Sequence, residues 1–456
     1  MYKDRFVIGI CTSELDQPFH IRLINRIVKE LTNTGNYVLI FGSDSDLSAD
    51  TASDSGDKAI FDLPNYTIID VMIIFPLTIR NDETLNHIVE QAKKNHTPVV
   101  SINRELEDCY NVIYQTEDSF EKVVRHVIEY HGLREVNFIT GFPGNDVSEQ
   151  RLEIFKNVLA DNDILFEEDR IGYGYFWEGP TMEVMETFMH PLRVPPEAII
   201  CANDSMAVAV CDFLNKRNIK VPDEILVTGY DGIDEAKLNY PAITTAARDE
   251  VNDAKKIVRM VLNIANGEKA PLDLDLSYHI QLSQSCGCQQ CRLYDQGSLV
   301  SSLNSQLASR HADIRRFADM EENALMETDI DKMIQYVGSF LPDGSFLSIN
   351  KDLLENGPNR KHLHKINPFT STMKAFVKEQ GVLTACDCYL DKVIPELGKD
   401  ASQDKSVVLM PLHFGENVIG YYGMWLEALQ DSFMITLLQL LRGLDNSLCY
   451  ALTKEP

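Results

Sequence analysis

Short, continuously apolar runs alternate along the first 283 residues with segments in which apolar residues recur every three or four positions. Ile21, Ile24, Ile27 and Leu31 form one such helical stripe. The runs that predict strands are RFVIGIC (5–11), YVLIFGS (37–43), IDVMIIFP (69–76), PVVSIN (98–103), VNFITG (136–141), AIICAND (198–204) and ILVTGYDG (225–232). Because apolar strands alternating with amphipathic helices are typical of parallel sheets covered on both faces, the pattern predicts an α/β fold. About nine strands would be unusual in one open sheet, so we expect two doubly wound parallel sheets.

Polar residues follow several of these predicted strands directly. In doubly wound sheets, ligands bind beyond the carboxyl ends of the strands, so these residues are candidate ligand contacts. They are Thr12 to Asp16, Ser43, Pro76, Asn203 with Asp204, and Tyr230 with Asp231.

The last third of the chain has a different pattern. A helical stretch at 299–326 has apolar residues at six of eight heptad positions, which predicts a dimeric signalling helix within a linker at 289–327. Residues 328–427 predict a small α+β domain with a hairpin at Gly-Glu-Asn, and 428–456 predict a closing helix. The heptad positions of the first helix are Val300, Leu303, Leu307, Arg310, Ile314, Phe317, Glu321 and Ala324.

Charge and targeting signals narrow the classes of function. The net charge is −27, from 69 acidic and 42 basic residues, which repels phosphate backbones and anionic lipids. Direct nucleic-acid binding is therefore expected to be unfavourable. The N-terminus shows no secretory signal, and no apolar run reaches about 18 residues, so we expect a cytoplasmic protein without a membrane span.

Cys286, Cys288 and Cys291 place three thiols within six residues, in CGCQQC. A zinc site needs four ligands, and the nearest further cysteines, Cys386 and Cys388, are distant in sequence. We therefore interpret the three thiols as structural and expect no metal and no cofactor. His362 and His364 are interpreted as surface residues. Walker, G-x-S-x-G and H-E-x-x-H motifs are absent from the sequence, so we do not expect an enzyme.

Four segments carry a family resemblance, in this order: SEQRLEIFKNVL (148–159), AIICANDSMAVAV (198–210), VPDEILVTGYDGIDEA (221–236) and PAITTAARDEV (241–251). Residues 5–288 resemble the effector-binding domain of LacI/GalR repressors, a periplasmic-binding-protein type I fold. The resemblance implies two lobes joined by three crossover strands, with the effector between them. The lobes would comprise 5–118 with 248–273, and 119–247 with 274–283.

The resemblance also implies which residues contact the effector, here a sugar or related metabolite. An apolar ring face favours an aromatic partner, and hydroxyl groups favour carboxylate, amide and guanidinium partners. The implied contacts are Ser13, Asp16, Phe19, Arg151, Trp177, Asn203 and Asp231.

Each candidate also has a purely structural interpretation. Asp204 is a good N-cap for the following helix, which would leave Asn203 for the ligand. Arg151 could be a surface or ion-pair residue, and Asp231 an Asx-turn residue. Trp177 could serve in packing rather than as a platform for a sugar ring.

One departure from the family concerns DNA. LacI/GalR repressors begin with a helix-turn-helix and a hinge helix, whereas here the first predicted strand begins at residue 5, so the resemblance implies no DNA-binding headpiece. HIQLSQSCGC also resembles the domain ending of sensors joined to diguanylate cyclases, histidine kinases or AraC-type regulators, and 328–427 is GAF-like in outline.

These observations predict a homodimeric cytoplasmic sensor of a small polar molecule, in which lobe closure acts on the signalling helix and a partner or output module. A LacI/GalR-type transcriptional regulator acting through DNA or a DNA-binding partner remains an alternative. So does the input half of a diguanylate cyclase or histidine kinase system. A transport binding protein would require export.

Overall fold

The computed structural model describes most of the chain in two compact units. The first unit comprises Met1–Ile113, Glu250–Leu274 and Gly297–Pro456, and the second comprises Tyr114–Asp249 and Asp275–Gln296. The described residues are 5–15, 18–289, 308, 312, 314–316, 318–320, 322–324, 326–327, 329–356, 369–370, 372–390, 393–395, 406–426, 441–443 and 445, with only the backbone of 18–20, 330 and 355–356.

The strands and helices lie close to the apolar runs and stripes of the sequence. The strands are β1 (Val7–Thr12), β2 (Tyr37–Gly42), β3 (Val71–Ile74), β4 (Val99–Ile102), β5 (Tyr110–Gln115), β6 (Val136–Thr140), β7 (Ile171–Tyr173), β8 (Ala198–Cys201), β9 (Leu226–Thr228), β10 (Thr245–Arg248), β11 (Asp273–Gln281), β12 (Ser345–Asn350), β13 (Thr372–Glu379), β14 (Val382–Tyr389), β15 (Ser406–Phe414) and β16 (Asn417–Trp425). The α-helices are α1 (Pro18–Asn33), α2 (Ala52–Lys58), α3 (Asp82–Lys94), α4 (Glu117–Arg125), α5 (Asp146–Asp161), α6 (Glu178–Phe188), α7 (Asp204–Lys216), α8 (Asp234–Leu238), α9 (Glu250–Ala265), α10 (Ile330–Gly338) and α11 (Lys351–Asn356).

The first unit contains a parallel sheet in the order β5-β4-β3-β1-β2. All six residues of β1 are buried, as expected for a strand that helices cover on both faces. β5 and β11 each pass from one unit into the other, as the chain also does between Asp249 and Glu250. Within the described residues, the chain therefore crosses between the units three times, twice through strands.

The C-terminal part of the first unit is a small α+β domain with five antiparallel strands in the order β15-β16-β12-β13-β14. The hairpin predicted at Gly-Glu-Asn is confirmed, since β15 and β16 flank Gly415 and Glu416. β15 also pairs in parallel with β2, from Ser406 against Val38 to Leu409 against Phe41. The antiparallel strands therefore extend the parallel sheet, which the sequence did not lead us to expect. A GAF-like fold for this domain is not confirmed.

The second unit contains a four-stranded parallel sheet in the order β7-β6-β8-β9, with β10 and β11 forming an antiparallel pair. Phe120, Phe138 and Phe155 are fully or almost fully buried, and the rings of Phe138 and Phe155 stack with centroids 5.1 Å apart. The two predicted parallel sheets are therefore present, one in each unit.

Some predictions fall outside the described residues. Of the heptad positions, only Ile314 and Ala324 are described, and both are helical. The predicted closing helix is described only at 441–443 and 445, which are helical, and Cys291, His362 and His364 are not described. Among the described helices, none is both long and apolar enough to cross a membrane.

Candidate functional site

In the second unit, charged, amide and phenol side chains lie together where β8, β9 and β10 end. We call Arg151, Asn203, Tyr230, Asp231 and Arg248 the strand-end cluster. Arg151 comes from α5, Asn203 follows β8, and Tyr230 and Asp231 follow β9. Arg248 is the last residue of β10. Sequence reasoning included Arg151, Asn203 and Asp231 as ligand contacts but did not weigh Arg248.

Arg151 is buried, with 6% of its surface exposed, so the surface-helix interpretation is wrong. Its Nη1 donates to the carbonyl oxygen of Ala202, and its guanidinium carbon lies 4.2 Å from the centroid of the Tyr230 ring. Within the described part of the chain, Nε of Arg151 has no hydrogen-bond partner. A buried N–H group without an acceptor is costly, so this donor is suited to a ligand oxygen.

Asp231 lies in the GYDG turn with a φ of 109°, beside Gly232 with a φ of 73°. Burial raises the pKa of Asp231 to about 6, although the charges of Arg151 and Arg248 act to lower it. The carboxyl group can therefore exchange a proton near neutral pH while it faces two cations.

The side chain of Tyr230 anchors the GYDG turn through hydrogen bonds and ring packing. The ring is fully buried, its hydroxyl lies 2.6 Å from the Ser119 hydroxyl, and it donates to the carbonyl oxygen of Thr116 at 3.2 Å. The ring also stacks on Tyr278, with centroids 5.0 Å apart. Tyr230 thus holds the guanidinium of Arg151 over its face and sets the position of the neighbouring Asp231.

The roles predicted for Asn203 and Asp204 must be corrected, because Asp204 is not the N-cap of α7. Asn203 is the cap, since its Oδ1 accepts from the backbone N–H of Met206 at 3.0 Å. Its Nδ2 donates to the carbonyl oxygen of Phe176 at 3.3 Å. An amide can accept and donate at once, so capping leaves Asn203 a donor group, and contact with a ligand stays a prediction.

Asp204 instead ties the start of α7 to the GYDG turn. It is fully buried, and its Oδ2 accepts from the backbone N–H groups of Gly232 at 2.7 Å and Ile233 at 3.0 Å. Burial, together with the negative charge of Asp231, raises the pKa of Asp204 to about 8. The group is therefore mostly protonated at neutral pH, which keeps a second negative charge away from Asp231.

Aromatic side chains lie beyond the ends of β6 and β7. The ring centroids of Phe142 and Tyr175 are 5.1 Å apart at 88°, and those of Phe142 and Phe176 are 6.0 Å apart. Tyr175 and Phe176 have φ values of 55° and 61°, which non-glycine residues rarely adopt. Trp177 is 68% exposed, so it is not a core packing residue. Phe142, Tyr175 and Phe176 were missed, although each closely follows a strand.

In the first unit, Ser13 belongs to a buried group of hydroxyl side chains beyond β1, β2 and β3. Its Oγ lies 2.6 Å from Oγ of Ser43, and its backbone N–H donates to Oγ1 of Thr78 at 3.0 Å. Oγ1 of Thr78 lies 3.1 Å from Oγ1 of Thr12. Asp16 and the side chain of Phe19 lie outside the described residues.

One group of side chains could hold a metal ion. Ligand atoms of His126, His131, Cys286 and Cys288 in the second unit all lie within 4.8 Å of one another. Cys386 and Cys388, the further cysteines considered from sequence, lie on β14 in the first unit. The other two members of this group are histidines, which the cysteine spacing did not indicate.

Part of the chain is similar to known protein families and structures. Residues 124–283 match the family described as "Periplasmic binding protein-like domain". The chain is 24% identical over 211 residues to the probable HTH-type transcriptional repressor ExuR of Bacillus subtilis, covering 45% of this chain and 63% of that protein. It is 24% identical over 265 residues to the probable HTH-type transcriptional regulator EndR of Paenibacillus polymyxa, covering 57% and 73%. The match thus spans less than two thirds of the first relative's length.

The structure of a LacI-family regulatory protein from Chloroflexus aggregans has a similar fold, with a TM-score of 0.50 and 17% sequence identity. The similarity covers 62% of this chain and 99% of that one. Together these findings support the predicted LacI/GalR-type, periplasmic-binding-protein-like effector domain. They do not support the expectation that direct nucleic-acid binding is unlikely, since the relatives are named as HTH-type transcriptional regulators.

Proposed function

We propose that the protein is an effector-responsive transcriptional regulator of the LacI/GalR type, acting through DNA or a DNA-binding partner. The observation that carries the ligand-binding part is Arg151, whose buried Nε lacks a hydrogen-bond partner among the described residues and whose guanidinium lies beside Asp231 and Tyr230. The names of the relatives favour a regulator over the free-standing sensor that we expected first.

The chemistry of the strand-end cluster suits a small polyhydroxylated ligand, such as a sugar or related metabolite. Arg151 and Arg248 supply N–H donors, and Asp231 supplies acceptor oxygens for ligand hydroxyl groups. Phe142, Tyr175 and the exposed Trp177 follow β6 and β7 of the same parallel sheet and offer apolar ring faces. A few fixed polar groups beside aromatic surface are typical of small-molecule sites.

A thermal-shift screen of the full chain against sugars, nucleosides and amino acids tests the ligand. A compound that binds only the folded protein raises the melting temperature. For the best compound, we expect Arg151→Lys and Asp231→Asn each to weaken binding at least about tenfold, since each removes a charge-assisted hydrogen bond of about 1.5–3 kcal/mol. Glu153→Gln is the matched control, because Glu153 is exposed on the same helix. Unchanged affinity in both site variants would contradict the assignment.

Regulation of transcription needs a separate test. We expect immunoprecipitation of the tagged full chain from its host to enrich specific DNA fragments, and we expect the ligand to change that enrichment. Gel-shift assays with the purified chain then separate direct contact from recruitment by a partner. Absence of enrichment with and without ligand would contradict the regulator.

A second candidate is a homodimeric sensor whose output passes to a protein partner, such as a histidine kinase or a cyclase. It is favoured by the pairing of β15 with β2, because this pairing joins the C-terminal α+β domain, which we take as GAF-like, to the sheet that ends at Ser13 and Ser43. Ligand-dependent capture of a kinase or cyclase, without DNA enrichment, would favour this candidate.

A further inference from the structure

Two histidines and two cysteines converge in the second unit, away from the side chains assigned to the effector. His126 and His131 follow α4, whereas Cys286 and Cys288 follow β11, more than 150 residues later in the chain. One ligand atom from each residue lies within 4.8 Å of the others. The histidines and the cysteines belong to segments far apart in the sequence, so it is the fold that brings the four side chains together.

The end of α4 brings the two histidines to one side. His126–Tyr130 is a π-helical turn, and the N–H of His131 donates to the carbonyl oxygen of His126 at 3.2 Å. In an α-helix, residues five positions apart point about 140° away from each other, whereas the wider π turn brings them to within about 50°. The Nε2 atoms of His126 and His131 are consequently only 3.2 Å apart.

The cysteine segment is anchored to the sheet of the second unit. The Ser285 hydroxyl donates to the carbonyl oxygen of Val227 at 2.6 Å and accepts from the N–H of Thr244 at 2.8 Å. Gly287, with a φ of 77°, reverses the chain between the two thiols. Cys286 is buried, and Cys288 is half-buried. A fixed segment with one left-handed glycine thus presents both thiols to the histidines.

Three of the six distances among the four ligand atoms fit a tetrahedral metal site, and Sγ of Cys286 lies within 4.8 Å of the other three atoms. With Zn–N of about 2.0–2.1 Å and Zn–S of about 2.3 Å, tetrahedral angles place two nitrogens about 3.4 Å apart and a nitrogen and a sulfur about 3.6 Å apart. The Nε2 atoms are 3.2 Å apart. Sγ of Cys288 lies 3.4 Å from Nε2 of His126 and 3.5 Å from Nε2 of His131. Each distance is within about 0.2 Å of the tetrahedral value.

We propose that His126, His131, Cys286 and Cys288 bind one Zn²⁺ as a structural Cys₂His₂ site. Four protein ligands fill the tetrahedron, so no position remains for a reacting water, as in structural rather than catalytic zinc sites. Binding converts both thiols to thiolates and releases their two protons to solvent, so the two negative charges neutralise the Zn²⁺. The ion joins the end of α4 to the segment that follows β11.

Metal analysis of the full chain, purified under reducing conditions without chelator, tests the site. We expect one zinc per chain, and we expect Cys288→Ser and His131→Ala each to lower this to below about 0.2. Cys386→Ser and His87→Ala are the matched controls: Cys386 is half-buried on β14, and His87 is partly exposed on α3. Both controls should keep the full zinc content.

Cobalt substitution gives a readout independent of folding defects in the variants. The chelator-stripped wild-type chain with one equivalent of Co²⁺ should show the intense visible bands of tetrahedral cobalt and a thiolate-to-cobalt charge-transfer band in the near ultraviolet. Cys288→Ser should lose most of the charge-transfer intensity, and Cys386→Ser should not.

Three results would overturn the proposal. The first is a wild-type chain that carries no zinc and shows no tetrahedral cobalt spectrum. The second is a denatured thiol count lower by two in the wild type, which would show a disulfide between Cys286 and Cys288. The third is loss of zinc in Cys291→Ser together with full zinc in Cys286→Ser, which would show that Cys291 and not Cys286 is the ligand. None of these results bears on the effector, because effector affinity is measured with other variants.

Discussion

At the scale of single residues, Asn203 and Asp204 show what the sequence can and cannot predict. The pair Asn203–Asp204 marks the start of α7, where we expected Asp204 to be the cap and the structure has Asn203. The sequence shows only that one of the two can cap the helix. It cannot decide which, because either side chain can accept an N–H three residues on, and the helix start shifts by one residue between the two cases. The choice depends on Gly232 and Ile233, whose N–H groups donate to Oδ2 of Asp204 from a turn that is distant in sequence.

The raised pKa of Asp204 makes the stability depend on pH in a specific direction. The pKa is about 8 in the folded protein and about 4 in the unfolded chain, so unfolding releases a proton between these values. The contribution of the protonated group is therefore fully present below about pH 4 and is lost as the pH rises through 8. We expect the unfolding free energy of the wild type, relative to Asp204→Asn, to fall by a few kcal/mol between pH 5 and 8. Urea unfolding at several pH values measures this, and parallel curves for the two proteins would refute it.

At the scale of elements, the apolar runs located seven strands, but other elements lacked a readable pattern. β7 has only three residues, and β11 alternates buried and exposed positions among polar residues, so neither forms a continuous apolar run. The π turn at His126 is also hidden, because EKVVRHVIEY has the apolar spacing of an uninterrupted helix. Since that turn aligns His126 with His131, the convergence with the cysteines could not be inferred from the sequence.

A substitution at Gly287 tests whether the turn between Cys286 and Cys288 positions the two thiols. Gly287→Ala places a Cβ at a φ of 77° but meets only Pro222, at 3.4 Å, so the main cost is backbone strain of about 1 kcal/mol. Gly267→Ala is the matched control, because its φ is 70° and its surroundings are open. We expect both variants to lose similar stability in denaturant, but only Gly287→Ala to bind zinc more weakly in a competition with a chromophoric chelator. Equal zinc affinities would show that the turn does not position the thiols.

At the scale of the whole molecule, the C-terminal α+β domain is held to the rest of the first unit by charged side chains as well as by the pairing of β15 with β2. Nε2 of His413, on β15, lies 3.2 Å from Oδ1 of Asp57 in α2, and the His413 N–H donates to Oδ1 of Asp445 at 3.1 Å. Arg442 also pairs with Asp44, with Nε 2.7 Å from Oδ2. The polar residues of this contact are far apart in sequence, so their pairing follows only from the three-dimensional fold.

The buried ion pair gives this contact its own dependence on pH. Burial lowers the pKa of His413, but the hydrogen bond to Asp57 and the charges of Asp445 and Asp57 outweigh it and raise the pKa to about 9. The stabilisation is therefore fully present below the unfolded value of about 6.5 and is lost as the pH rises through 9. Between pH 7 and 10, we expect the wild type to lose about 2 kcal/mol more than His413→Gln in urea unfolding. His87→Gln, at a partly exposed histidine of α3, should behave as the wild type, and a wild-type slope equal to that of His413→Gln would exclude the pair as the source.

The parallel pairing of β2 with β15 also has a consequence for the order in which the chain is made. Ribosomes add residues from the N-terminus, at about 5–20 per second in typical cells, and domains begin to fold as they emerge. Val38 to Phe41 are synthesised long before Ser406 to Leu409, their partners in the sheet. Until then the N–H and C=O groups along one side of β2 have no strand beside them, and such an edge readily joins the edges of other chains. During synthesis, one edge of the first sheet therefore stays unpaired until the last third of the chain has been made.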